Sequence, residues 1–184
     1  MKVFLKKNIF VYELVRKFQK KITCLLLGLD NVSDSSKISW PIYISKDFKL
    51  GDFSFVNKGS YIGPNVVCGN YVMFGPHVTI AGGDHRYDIV GRPMIFSGRS
   101  NVEPTTIGND VWIGANCNIK AGVKIGNGSI IAMGSLVLDD IPPYVIYGGV
   151  PARLIKHRFS SADEILMHEA FLLGKPYRSG SYCE

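Results

Sequence analysis

The sequence predicts an all-β solenoid of six-residue repeats, and three observations predict it. Apolar residues recur every sixth position in two unbroken runs. The first is Ile38, Ile44, Leu50, Val56, Ile62, Cys68, Phe74 and Ile80; the second is Ile107, Ile113, Ile119, Ile125, Ile131 and Val137. A small residue follows most of them (Gly51, Gly63, Gly69, Gly75, Ala81, Gly108, Gly114, Gly126, Ala132), and a small or β-branched one often stands four places on, as at Ser54, Val72, Cys117 and Ser135. Glycine supplies 20 of the 184 residues, well above the average share of roughly 7%. It shows no Gly-X-Y period, so collagen is excluded. Neither a helix of period 3.6 nor a strand of period 2 produces a period of six. A short strand and a two-residue corner do, if three such sides close one coil and coils stack. Residues three repeats apart then align, Ile113 over Ile131. The glycine after each apolar residue is expected at the corner, where a left-handed backbone suits it.

The elements follow in chain order. Residues 1–35 read as a basic N-terminal helical segment, with Phe10, Leu14, Phe18, Ile22 and Leu25 on one stripe. Residues 36–158 read as the solenoid. The step from Ile80 to Ile107 is not a multiple of six, so 81–104 is an inserted loop, rich in Gly82, Gly83, Gly91, Pro93, Gly98 and Pro104. Pro142 and Pro143 are expected to stop the coils. Residues 159–184 hold a short C-terminal helix, capped by Ser160 or Ser161 with Asp163 and Glu164 in its first turn, and a coil tail.

Composition narrows the function classes. At 46% hydrophobic residues the chain is not a disordered one. No apolar run reaches the roughly 18 residues of a membrane span, and the start is a poor signal peptide, so a cytoplasmic location is expected. Cys24, Cys68, Cys117 and Cys183 are too scattered for a zinc knuckle or a disulfide framework; Cys68 and Cys117 fall at interior positions. The net charge of +6 is concentrated: residues 1–30 carry seven Lys/Arg and two Asp/Glu, net +5, and the rest fourteen and thirteen, net +1. A near-neutral solenoid argues against nucleic acid. The basic amphipathic start is expected either to touch a membrane surface peripherally, at its inner face, through residues 1–30, or to cap the open first coil.

A long loop on a rigid scaffold is where chemistry is expected. This one opens Gly82-Gly83-Asp84-His85-Arg86-Tyr87-Asp88. His85 is its acid–base candidate, since imidazole titrates near working pH, and Asp84 or Asp88 is placed to orient the ring; the plain alternative is a surface histidine.

Four stretches resemble the hexapeptide-repeat acyltransferases of the left-handed parallel β-helix type, in particular O-acetyltransferases of sugars and polysaccharides. They are Gly83 to Gly91 around His85, Ile107 to Asn116 with its block Asp110-Val111-Trp112-Ile113-Gly114, Ala121 to Gly126, and Pro142-Pro143-Tyr144 with Gly148-Gly149-Val150-Pro151-Ala152-Arg153-Leu154-Ile155-Lys156. The left hand is implied by that resemblance alone. It also implies a homotrimer, with acetyl-CoA as donor lying between neighbouring solenoids, a sugar or glycan acceptor and no metal. His85 would be the general base, supported by Asp84, Asp88 and Asn57. Gly114, Ala115, Ala132 and Met133 would form the CoA groove, Arg153 and Lys156 would hold its phosphates, and Trp112 would wall the thioester end. Arg86, Phe96 and Arg99 would meet the acceptor. Plainer roles stand beside these: a solvated basic tail for Arg153 and Lys156, a packed corner for Trp112, a turn or asparagine ladder for Asn57. The family often has Thr-Lys-Asp after the last coil; here it is Leu138-Asp139-Asp140, which moves the phosphate role to Arg153 and Lys156. Alternatives from other classes are N-acetylation of an amino sugar, a γ-type carbonic anhydrase, for which His77 and His85 make a poor zinc set, and a non-catalytic solenoid.

Overall fold

A helix, α1 (Ile9–Leu27), opens the structure, a computed structural model that describes residues 9–101 and 103–178, and the backbone alone at 9–13 and 16. Lys2, Lys6, Lys7, Tyr182 and Cys183 lie outside the described residues. Gly28, at φ +64°, ends the helix. The Leu29 N–H reaches the Cys24 carbonyl at 2.9 Å and the Gly28 N–H the Leu25 carbonyl at 3.4 Å, a Schellman cap. Leu29 is buried at the mouth of the first coil, with Cys24 and Leu27 packed against the core.

Five coils of three strands follow. The first holds β1 (Asn31–Val32), β2 (Lys37–Ile38) and β3 (Tyr43–Ile44), and the second β4 (Lys49–Leu50), β5 (Phe55–Val56) and β6 (Tyr61–Ile62). The third holds β7 (Val66–Cys68), β8 (Met73–Phe74) and β9 (Thr79–Ala81). The fourth holds β10 (Thr105–Ile107), β11 (Trp112–Ile113) and β12 (Asn118–Lys120), and the fifth β13 (Lys124–Ile125), β14 (Ile130–Ile131) and β15 (Leu136–Val137). Each side of the coil stacks into its own parallel sheet. The first coil begins at Asn31 rather than at residue 36. Val32 keeps the period of six, but the polar run Ser33 to Ser36 hides it.

All fourteen repeat residues are buried, one layer of aliphatic side chains filling the coil interior. The second small position is buried too, from Ser54 and Ser60 to Ser129 and Ser135. Cys68 and Cys117 are interior as expected, and burial pushes both thiols up.

The glycines act differently from the expectation. Left-handed backbone falls three residues after the repeat residue, at Phe53, Gly59, Asn65, Tyr71, His77, Asp110, Asn116, Gly128 and Gly134. The residue directly after is small for another reason: the next coil lies against it. A Cβ on Gly75 would stand 2.5 Å from the Ala115 nitrogen, and one on Gly114 2.5 Å from that of Met133.

Two devices hold the corners. Serines stack in register, the Ser54 N–H donating to Ser36 Oγ at 2.8 Å and the Val72 N–H to Ser54 Oγ at 2.9 Å. An asparagine ladder runs along the corner after the first sheet: Asn70, Asn109 and Asn127 each accept a backbone N–H from the coil below at 2.7 to 2.8 Å. At its upper end, Asn127 Nδ2 donates to Glu169.

Pro142 and Pro143 end the three-sided coil but not the stacking. They take a corner, with Ser129 Oγ donating to the Pro142 carbonyl at 2.6 Å. The chain then adds β16 (Val145–Gly148) parallel to β14. A turn through Pro151 returns β17 (Arg153–His157) antiparallel to β16, so the growing edge of that sheet is covered. The second helix, α2 (Ala162–Leu173), begins at Ser161 in a capping box with Glu164. Asp110 fixes it: its Oδ2 accepts from Arg158 Nη1 at 2.7 Å and lies 2.8 Å from His168 Nε2.

Candidate active site

The register of the second sheet stacks Ile38, Val56, Phe74, Ile113, Ile131 and Tyr147 in that order. The residues that follow therefore form one line along a corner: Ser39, Asn57, Gly75, Gly114, Ala132 and Gly148. From Gly75 to Gly148 no side chain extends beyond Cβ. Those four residues span three coil spacings, about 15 Å. Their backbone is fixed by ladder bonds of 2.7 to 2.8 Å, from Gly75, Gly114 and Ala132 to the coil above.

The expected CoA residues gather here. Ala115 and Met133 follow Gly114 and Ala132, and Met133 is exposed. Arg153 pairs with Gly148 across β16 and β17, and Lys156 with Ile146. Arg153 thus stands at the upper end of the line, and Lys156 further along the same exposed strand. Trp112 lies on β11 between Met73 and Ile130, half exposed on the outer face. Asn57 sits on the same line below Gly75. Its Oδ1 accepts the Lys58 N–H at 2.9 Å, so it takes no part in the asparagine ladder, which runs along another corner. Gly75 and Gly148 belong to this floor too, although the sequence marks Gly75 only as a repeat glycine and Gly148 only as the start of its Gly-Gly-Val-Pro-Ala-Arg block. The signal was present, since both follow a residue of the stacked column. The inserted loop obscures it by widening the sequence gap between Phe74 and its partner Ile113 beyond one coil.

The inserted loop leaves after Ala81 and returns at Thr105. Its two arms are tied like a hairpin, with an antiparallel bridge between His85 and Arg99. The Arg86 N–H donates to the Gly98 carbonyl at 3.0 Å and the Ser100 N–H to that of Asp84 at 3.2 Å. His85 is exposed. Asp88 is engaged by Arg86, whose Nε donates to it at 3.2 Å, and that hydrogen bond holds the Asp88 carboxyl low. Arg99 Nη1 donates to the Gly83 carbonyl at 2.6 Å. Phe96 is exposed on a single 3-10 turn, Met94–Phe96, at the loop tip.

The structure does not bring the loop root and the groove together within one chain. The groove lies where the second sheet turns into the third, and the loop root lies at the far end of the third-sheet strands. A concavity of about 330 Å³ opens at that root, lined by residues that include Asn65, Gly82, Gly83, Ser100 and Asn101. A larger one, about 580 Å³, lies over the first sheet between Lys124, Asp140 and Glu169 and holds none of the expected residues. Asp140, at the family departure, has a structural role there: its Oδ1 accepts the Lys124 N–H at 2.7 Å. Among the described residues, no three His, Cys, Asp or Glu side chains group as metal ligands, and no helix is long and apolar enough to cross a membrane.

Comparisons with known proteins bear on this geometry. A family model described as bacterial transferase hexapeptide (six repeats) matches residues 104–139. Galactoside O-acetyltransferase of Escherichia coli (strain K12) is 35% identical over 133 residues, covering 68% of this chain and 62% of that protein. The chain spans less than two thirds of the length of the curated relatives it matches. A solved galactoside acetyltransferase in complex with coenzyme A superposes with a TM-score of 0.62 at 31% identity, covering 80% of this chain and 70% of that one. A hexapeptide-repeat acetyltransferase of Vibrio cholerae, complexed with acetyl coenzyme A, gives a TM-score of 0.64 at 28% identity over 76% of each chain.

Proposed function

We propose, because this chain belongs to the hexapeptide-repeat acetyltransferase family, that it transfers the acetyl group of acetyl-CoA to a hydroxyl of a sugar or glycan. The observation that carries the proposal is the corner line from Gly75 to Gly148, free of side chains beyond Cβ and ending on Arg153. A flexible pantetheine arm fits such a line because nothing beyond Cβ rises from it. A guanidinium at one end suits phosphate, which it holds by charge-assisted hydrogen bonds. Those glycines are also required by coil stacking, so the basic end and the alanine at 132 carry the argument rather than glycine alone. The coenzyme A and acetyl coenzyme A complexes of the two solved relatives support the same donor.

His85 is the base in this reading. Its ring takes the proton of the acceptor hydroxyl as the oxygen attacks the thioester carbonyl. The new C–O bond replaces the C–S bond, and the proton passes to the departing thiolate. No acyl-enzyme is needed, which fits cysteines buried in the coil with raised thiol pKa. General-base catalysis of this kind contributes about 10²- to 10⁴-fold.

The reading extends to a homotrimer, in which the loop of one copy meets the groove of the next. Two features support it: loop root and groove sit at opposite ends of the third-sheet strands, and the outer faces carry exposed apolar groups. These include Trp40, Met73, Trp112 and the stacked pair Tyr43 and Tyr61, whose rings lie 4.6 Å apart.

The test is thiol release from acetyl-CoA across a panel of sugars and amino sugars, with mass spectrometry of the product. His85→Ala should keep the mass of the assembly and its melting temperature and lose about 10²- to 10⁴-fold in turnover. Turnover near that of the parent overturns the role of His85. Product acetylated only on nitrogen overturns the hydroxyl acceptor.

A further inference from the structure

The first helix carries a surface that neither acetyl transfer nor coil stacking uses. The stripe of Leu14, Phe18, Ile22 and Leu25 points away from the solenoid. Leu14 is 59% exposed, Phe18 66%, Leu25 83% and their neighbour Leu26 71%. At 100° per residue these five side chains fall within an arc of about 120°. The opposite face docks on the first coil: Cys24 and Leu27 pack against the core, and two polar residues are buried with them. Lys20 is only 6% exposed, its Nζ donating to the Ser33 carbonyl at 2.7 Å and pairing with Asp34 at 3.4 Å. Thr23 is buried beside it. Such an orientation inverts the usual rule that a surface helix turns its apolar stripe to the core. It is locked by the Gly28 cap and by the ties of Lys20.

We propose that α1 docks on an anionic lipid surface, with Phe18, Ile22, Leu25 and Leu26 entering the boundary between headgroups and acyl chains. Charge complementarity selects this occupant. Lys17 and Lys21 are exposed and flank the arc along one edge, within about 60° of Leu14 by the same helical count. Of the acidic groups near the helix, Asp34 is paired with Lys20 on the docked side and exposed Asp30 lies past the helix cap. The segment 1–30 is net +5 while the rest of the chain is net +1. A second copy seated on the same strip would bring like charges together along its edge. A bilayer with acidic headgroups offers the opposite charge and a hydrocarbon layer of the right depth.

The test is co-sedimentation of the full chain with vesicles of phosphatidylcholine alone or of phosphatidylcholine mixed with phosphatidylglycerol, at low and at high salt. The expected result is binding to the anionic vesicles that weakens with salt. Lys17→Glu with Lys21→Glu should weaken it at least ~10-fold, two basic residues each contributing about 1 kcal/mol near such a surface. Phe18→Glu with Leu25→Glu should abolish it. Both pairs should keep the circular dichroism spectrum and melting temperature of the parent, because all four residues are exposed and none belongs to the buried core. Failure of the intact chain to sediment with anionic vesicles overturns the proposal. So does unchanged binding by either pair, or breakdown of a solution oligomer by Phe18→Glu with Leu25→Glu, which would make the occupant a second copy.

Discussion

Two glycines near one corner should respond differently to the same pair of substitutions. Gly114 has ordinary backbone, but a Cβ there would lie 2.5 Å from the Met133 nitrogen, 2.8 Å from its Cα and 2.9 Å from the Ile131 carbonyl oxygen. Gly134 has nothing within 4 Å of a Cβ but stands at φ +73°. At Gly134 the cost of alanine is conformational, about 1–2 kcal/mol for a left-handed residue. Asparagine, which tolerates that region, should recover most of it, as Asn65 and Asn116 already do at equivalent places. At Gly114 either substitution must push two coils apart, because all three contacts fall well inside van der Waals separation. The Gly114 N–H bond to the Ile131 carbonyl and the Gly134 N–H bond to the Ala115 carbonyl, both 2.8 Å, then stretch or break. Two buried hydrogen bonds left unmade cost about 1–3 kcal/mol each. A chain of this size loses about 2–4 °C of melting temperature per kcal/mol. Thermal melts followed by circular dichroism should show losses of about 2–8 °C for Gly134→Ala, less for Gly134→Asn, and larger, near-equal losses for Gly114→Ala and Gly114→Asn. If Gly134→Asn is as damaging as Gly134→Ala, or if Gly114→Ala is the mildest of the four, the division into space-limited and conformation-limited glycines is wrong.

Three further outcomes are expected. Arg153→Ala with Lys156→Ala should raise KM for acetyl-CoA about 10- to 100-fold with kcat nearly unchanged, because uniform binding is what is removed; steady-state kinetics of thiol release checks it. Asp110→Ala strips partners from Arg158 and His168 at once. It should cost about 1–3 kcal/mol, read as faster hydrogen exchange and proteolysis in α2 with the coils still protected. Asp52 is held below the usual carboxylate range by hydrogen bonds from Ser33 and then Ser35. Its folded pKa is the lower one, so its stabilisation is present above the unfolded value of about 3.9 and lost as pH falls through the folded value. Asp52→Asn should lower the melting temperature at pH 7, a loss of under about 1 kcal/mol given its exposure, and converge with the parent as pH falls through the folded value. A gap that stays constant down to the acid limit of folding would show that the ionised form is irrelevant.

What the sequence made legible was whatever repeats. A period of six needs only the identity of one residue per side, and all fourteen of those residues are buried. The stacking of every third repeat followed from it. The facing of α1 did not follow, because an amphipathic stripe says which residues share a face and not where that face points. Lys20 decides it through bonds to Ser33 and Asp34, residues of no periodic pattern. The Asp110, Arg158 and His168 cluster was invisible for a similar reason: its members are 48 and 58 residues apart, and nothing local marks them. The role of the corner glycines was misassigned because two causes, space and backbone hand, select the same residue type. Only the neighbouring coil distinguishes them.

The inserted loop explains how one site can be added without disturbing the column beneath it. Across the loop the stacked pairs Cys68 and Ile107, Phe74 and Ile113, and Ile80 and Ile119 are all separated by the same length, one coil plus the insertion. Register survives because both loop ends are fixed by the ladder, the Ala121 N–H donating to the Ala81 carbonyl at 2.7 Å and the Thr105 N–H to that of Asn65 at 2.8 Å. Closing a longer loop between fixed ends costs little, about 0.6 kcal/mol per doubling of length. The loop contributes almost nothing to the buried core; its arms are held by their own exposed bonds, such as that from Arg99 to Gly83. Stability therefore resides in the aliphatic column, and the proposed base in a segment the column does not depend on. For that reason a loss of transfer in His85→Ala reports on the reaction and not on the fold.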